Sequence, residues 1–184
     1  MEIKYDYLIN SKTILLYGVL HENGHLYTFV LEEEEAFLVA MAPVKLIDQS
    51  LISYGSSFSG ALKSSTYLLG KERKKYPIKI DTSLDIWLFP TKSYRQDNCV
   101  WFALNHVRDT MPIAQKFTKV YLSNGHMFEL VMNESAFRAR MRTAENLRDI
   151  IIYNTKNSIN CKEEMKKGFI IVEKKGKYKC KTKS

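Results

Sequence analysis

The stretch that most constrains the chain is Ser123-Asn124-Gly125-His126, because it stands between two short apolar runs, Phe117–Leu122 and residues 127–132. Asn-Gly between two apolar runs is a strong short-range hairpin signal. Directly behind it, Asn133 or Ser135 offers an N-cap. Phe137, Met141, Ala144, Leu147 and Ile151 then recur at helical spacing, which predicts a helix of about 20 residues.

The rest of the chain fits the same alternation. Residues 5–9, Thr13–Leu20 and residues 26–31 are rich in Tyr, Ile, Leu and Val, with turn residues Asn10-Ser11 and Glu22-Asn23-Gly24 between them. Glu32-Glu33-Glu34-Glu35 reads as a water-facing loop, and residues 36–41 as another strand. Pro43 opens a helix carrying Val44, Ile47, Leu51 and Tyr54 at helical spacing, ended by Gly55. Residues 61–69 suggest a second, short helix, and residues 78–80, 86–89 and 99–107 further strands. The pattern predicts an α+β class: antiparallel sheets with two or three helices and no helix-turn-helix. The expected domains are residues 1–155 and a basic, partly flexible tail over 156–184.

With 45 % apolar residues the chain can build a core. No apolar run approaches the roughly 18 residues of a membrane span, and the first residues lack a signal-peptide pattern. A cytoplasmic location without membrane association is therefore expected. Three widely spaced cysteines are a poor disulfide framework.

The formal charge is +8, but it is unevenly spread. Residues 161–184 hold nine Lys against three Glu, so the other 160 residues carry 19 basic and 17 acidic groups. Most of the excess lies in a Lys-rich end of the kind that is often merely solvated. Any nucleic-acid argument has to come from the folded body.

Motifs for catalysis fail. Gly55 and Gly60 have the spacing of a phosphate-binding loop, yet Ala61-Leu62 stand where Lys and Ser or Thr are needed. No Cys-x-x-Cys, His-Glu-x-x-His or Gly-x-Ser-x-Gly occurs. No cofactor, metal or enzymatic activity is expected. Three cationic groups remain: Lys71, Arg73, Lys74 and Lys75; Lys92 and Arg95; and Arg138, Arg140, Arg142 and Arg148. Arg142 and Arg148 each have Glu145 three residues away, which suggests ordinary ion pairs. Arg140 has no acid at i±3 or i±4. A recognition helix would need several base-reading donors, and residues 61–69 offer one cation, Lys63.

Four stretches resemble the ComK family. They are Tyr54-Gly55-Ser56-Ser57-Phe58-Ser59-Gly60; Tyr76-Pro77-Ile78 with Asp81; Ile86-Trp87-Leu88-Phe89-Pro90-Thr91 with Cys99-Val100-Trp101 and His106-Val107; and Val120-Tyr121-Leu122-Ser123-Asn124-Gly125 with Arg142-Thr143-Ala144. The resemblance spans about residues 36–148. It implies a bacterial activator of DNA-uptake genes that binds paired A/T-rich boxes, mainly through the minor groove, as an oligomer. It also implies contact with RNA polymerase and delivery to a Clp protease by an adaptor, for which Phe169–Val172 is a candidate segment. The family carries a basic pair behind the second glycine, where this chain has Ala61-Leu62.

A/T-tracts narrow the minor groove and deepen its negative potential, so cations on loops suffice to enter it. The candidate DNA contacts are Lys63, Arg73, Lys74, Lys75, Lys92, Arg95, Arg138, Arg140 and Arg142. The alternative is a degenerate interaction module that lacks DNA binding and acts through hetero-oligomers or the protease adaptor.

Overall fold

The computed structural model describes residues 1–159, 169–174 and 177–182. In chain order the elements are β1 (Ile3–Lys4), β2 (Thr13–Leu20), β3 (Leu26–Glu32), β4 (Ala36–Val39), α1 (Pro43–Ser53), α2 (Phe58–Leu69), β5 (Ile78–Asp81), β6 (Ile86–Pro90), β7 (Val100–Ala103), β8 (Val107–Ala114), β9 (Phe117–Leu122), β10 (Met127–Leu130), α3 (Glu134–Ile159), β11 (Phe169–Lys174) and β12 (Lys177–Thr182). The class is α+β. The chain divides into two compact units, residues 1–152 and 153–184.

In the first unit, seven strands pair in the order β1-β4-β3-β2-β7-β6-β5, and three more in the order β10-β9-β8. Side chains alternate across a strand, and here each face has its own core. Leu16, Leu88 and Trp101 join Leu46, Ile47 and Leu51 of α1 and Phe58 and Ala61 of α2. Their neighbours Leu15, Trp87, Phe89, Val100 and Phe102 join Val120, Leu122 and Leu130 of the small sheet and Phe137, Ala144 and Leu147 of α3. The large sheet is thus covered on both sides. This explains why β6 and β7 are buried at every position and read as continuous apolar runs.

The hairpin predicted from Asn124-Gly125 is present. Both residues have positive φ (57° and 76°), and the His126 amide donates to Ser123 O at 3.2 Å. Asn133, and not Ser135, caps α3: its Oδ1 accepts from the Ala136 amide at 2.8 Å. The helix reaches Ile159, longer than predicted.

Four other expectations need correction. Residues 5–9 form no strand, and at Ile9 side chains take the place of a strand partner. Ser50 Oγ accepts from the Ile9 amide at 3.1 Å, and Tyr54 donates its hydroxyl to Ile9 O at 2.9 Å. Glu32 does not face water: it is 9 % exposed and accepts from Tyr7 Oη at 2.6 Å and Asn10 Nδ2 at 2.9 Å. The run 99–107 is not one strand, since a 3-10 turn at Leu104–His106 passes the chain from the large sheet to the small one. His106 fixes that turn through Ser123 Oγ at 2.6 Å and Ser11 O at 2.8 Å. The second helix begins at Phe58, not Ala61, because Ser57 Oγ caps it by accepting from the Gly60 amide at 3.1 Å.

In the second unit β11 and β12 pair antiparallel, Phe169 opposite Thr182. This stretch falls within the basic tail expected over residues 156–184. Among the described residues no helix is long and apolar enough to cross a membrane.

Candidate nucleic-acid interface

The β6–β7 hairpin positions the first part of the interface. Phe89 pairs with Phe102 and Pro90 with Trp101. Pro90 ends the strand without an N–H to offer, and Thr91 closes the ladder twice. Its amide donates to Val100 O at 2.8 Å, and its Oγ1 accepts from the Val100 amide at 3.0 Å. The loop that follows, residues 92–98, carries Lys92, Tyr94 and Arg95 away from a rigid base. It lies directly over Gly18 of β2, where an added Cβ would meet Asp97 O at 2.5 Å. Tyr94 packs edge-on against Phe58, ring centroids 5.2 Å apart, and the Arg95 guanidinium carbon lies 5.7 Å from the Tyr94 ring centre.

The second part is the loop from α2 to β5. Tyr76 Oη donates to Gly70 O at 2.7 Å and accepts from the Arg73 amide at 3.3 Å, so the loop folds back on itself. Lys71, Arg73, Lys74 and Lys75 on it are exposed. Leu62, Thr66, Lys74, Tyr76, Ser93, Tyr94 and Arg95 together line a shallow cleft of about 270 Å³. A basic loop, an aromatic-basic loop and the flank of α2 therefore meet.

α3 supplies the third part. Arg73 Nη1 donates to Thr143 Oγ1 at 3.2 Å, tying the loop to the helix. Arg140 is half-buried, with Nη1 3.5 Å from Pro90 O. Burial lowers its pKa, and its charge in turn lowers that of Lys75. The predicted cations Arg73, Lys74, Lys75, Arg95 and Arg140 are thus brought together. Lys92 sits in the same loop as Arg95, its carbonyl accepting from the Cys99 thiol at 3.5 Å. Lys63 and Arg142 are exposed, on α2 and α3. Among the described residues none of these eight forms an ion pair; the pairs present involve Lys4, Lys119, Arg138 and Arg148.

Arg138 stands apart. Its Nε donates to Glu134 Oε1 at 2.8 Å and its Nη2 lies 3.3 Å from Asp109 Oδ1. Glu134 and Asp109 hold it as a cation in a structural network, which raises its pKa. The pairs expected with Glu145 do not form: Arg148 Nε lies 3.6 Å from Asp149 Oδ1. Tyr76 and Tyr94, which line the cleft, are not among the candidate contacts expected from the sequence. Their signal was local, an aromatic directly beside a cation in Lys75-Tyr76 and Tyr94-Arg95, the interleaving that suits nucleic acid.

Gly55, at φ 77°, closes the turn between α1 and α2, and Asp48 Oδ1 accepts from the Phe58 amide at 2.8 Å, which explains that loop as structural. Among the described residues no three His, Cys, Asp or Glu side chains group as metal ligands.

No solved structure matches the fold. The "Competence transcription factor" of Bacillus subtilis (strain 168) is 35 % identical over 142 residues, covering 76 % of this chain and 72 % of the relative. The sequence pattern of the family described as "ComK protein" matches residues 4–156, nearly all of the first unit, and the chain therefore belongs to the ComK family.

Proposed function

We propose that the protein is a transcription activator of DNA-uptake genes that binds A/T-rich duplex mainly through the minor groove, as an oligomer. The observation that carries this reading is the segregation of unpaired cations. Lys74 and Arg95 face one cleft, and Arg73, Lys75 and Arg140 continue the charge along α3, on a body whose total charge is near neutral. Such a local field steers and holds a polyanion where a diffuse one would not. Both loops project from rigid ends of strands and helices, so Arg95 or Lys74 can enter a narrow groove while the others hold phosphates. On this reading DNA-bound copies recruit RNA polymerase, and a Clp adaptor sets their level.

Fluorescence anisotropy on an A/T-rich duplex tests the reading. Changing Arg73, Lys74 and Lys75 together to Ala is expected to weaken binding and to lower the salt slope by about 2 to 3. A minor-groove competitor is expected to displace the wild-type protein. Unchanged affinity and slope would remove this surface from the interface.

A second reading, a protein-interaction module, is favoured by the outer face of the small sheet. There Met111, Ile113, Phe117 and Met127 are 45–60 % exposed. Hetero-oligomers with no salt-sensitive duplex binding would favour it.

A further inference from the structure

β5 is an edge strand of the large sheet, and α2 passes that edge: Ala61 belongs to the core on one face, while Leu68 and Leu69 pack against the core on the other. Beside the first turns of α2 the passage leaves a cavity of about 200 Å³, lined by Ser56, Gly60, Ser64 and Ser65, by Lys79 of β5 and by Ile151 of α3. Residues four apart stack on one helix face, so Gly60 stands under Ser64, and Ala61 under Ser65. A Cβ on Gly60 would lie 3.9 Å from Ser56 Oγ, which places that hydroxyl beside the bare backbone of the glycine. Lys79, opposite Trp87 in the β5–β6 ladder, is half-buried and forms no ion pair among the described residues. No acidic residue lines the cavity. Ser65 is 1 % exposed, and its hydroxyl makes no hydrogen bond among the described residues. Every enclosed side-chain nitrogen or oxygen there does have a partner, so the Ser65 oxygen is not enclosed: it opens on the cavity that the residue lines. A hydroxyl taken out of water without a partner is unfavourable, and a ligand that accepts from it relieves that cost.

We infer that this cavity binds one tetrahedral oxyanion, a phosphate or the phosphate end of a larger molecule, with Lys79 supplying the charge and Ser56, Ser64 and Ser65 the hydroxyl donors. The ammonium offers three N–H donors and each hydroxyl one O–H, a set that suits an acceptor-only group with several oxygens. Serines alone would serve a neutral polyol equally well, but an ammonium without a counter-charge favours an anion, whose hydrogen bonds are then charge-assisted. Leu62 and Thr66, which line the cleft described above, lie on another face of α2. The site is therefore separate from the proposed duplex-binding surface and does not depend on that reading.

The test uses the full chain, with inorganic phosphate as the probe against chloride at matched pH and ionic strength. Thermal melting reports binding, and the methyl resonances of Ile151, the apolar wall of the cavity, report its place. Phosphate is expected to raise the wild-type melting temperature and to shift Ile151. Lys79→Gln and Ser65→Ala are each expected to weaken phosphate binding roughly tenfold or more, as loss of a hydrogen bond to a charged group does. In chloride Ser65→Ala is expected to melt no lower than the wild type, because the hydroxyl it removes is unbonded. The triple change of Arg73, Lys74 and Lys75 to Ala is expected to keep the phosphate response. No phosphate-specific rise in the wild type, an undiminished response in Lys79→Gln, or a response lost in the triple variant would each overturn the site. Salt slopes on A/T-rich duplex then separate the two sources of phosphate, and either result keeps the site. An unchanged slope in Lys79→Gln assigns it to a free phosphate compound, and a slope lower by about 0.9 to one backbone phosphate of DNA. Should Lys79→Gln fail to fold, Ser65→Ala combined with Ser64→Ala, the latter at an exposed position, decides by the same phosphate response.

Discussion

An alanine at Gly18 would place its Cβ 2.5 Å from the Asp97 carbonyl oxygen and 3.1 Å from Leu26 Cδ1. The first of these is backbone, so the loop over residues 92–98 has to move. Gly18→Ala is expected to destabilise the protein by about 1–3 kcal/mol, as overpacking does, and to weaken duplex binding because Tyr94 and Arg95 shift with the loop. Urea unfolding and anisotropy check the two effects. A stability loss with full affinity would show that the loop is not part of the interface. Nothing in the sequence marks this glycine, since the chain segment that presses on it is about eighty residues away. The Tyr7–Glu32 pair was illegible for the same reason: Glu32 opens a four-carboxylate run, and only the fold turns it toward Tyr7 and Asn10. Burial, and then the bond to Glu32, raise the Tyr7 hydroxyl far above the usual tyrosine pKa of 10.0. A raised folded-state pKa contributes stability that is full below the unfolded value and is lost as pH rises above it. The urea midpoint is therefore expected to fall above about pH 10, and less steeply in Tyr7→Phe; parallel curves would show that Tyr7 does not couple to that limb.

At the scale of elements, local signals served well where they were self-contained. Asn124-Gly125 gave the turn, the 3.6-residue recurrence of Phe137, Ala144 and Leu147 gave the buried face of α3, and Pro43 gave the start of α1. They failed where another element decided, as at residues 5–9, whose backbone bonds to α1, and at Leu104–His106, where the chain changes sheets. α3 shows both limits within one turn. Spacing marked Arg140 as lacking an acid at i±3 or i±4, and it forms no ion pair among the described residues, yet Arg138, grouped with it as a candidate contact, is neutralised by Glu134 and Asp109. Arg138→Ala is accordingly expected to leave duplex affinity and salt slope unchanged, while lowering the urea midpoint through loss of the Glu134 and Thr110 contacts. A slope reduced by about 0.9 would instead place Arg138 on a phosphate.

At the scale of the molecule, the question is whether total charge or local arrangement holds DNA. Of the +8 formal charge, the nine Lys and three Glu of residues 161–184 supply six, and the rest of the chain is close to balanced. If total charge governed binding, a chain ending at Asn160 would lose most of its affinity. Screening argues otherwise, because charges more than about 8 Å from the polyanion contribute little at physiological ionic strength. The unpaired cations at the cleft and along α3 remain in the shortened chain. That chain is expected to keep its preference for A/T-rich over G/C-rich duplex, with a salt slope within about 1 of the full-length value. Adding the triple change of Arg73, Lys74 and Lys75 to Ala is then expected to remove a further 2 to 3 of slope, roughly the number of phosphates those residues would hold. A truncated chain that binds no duplex, yet melts like the full-length protein, would locate the grip in residues 161–184 and reduce the cleft to a structural feature of the fold.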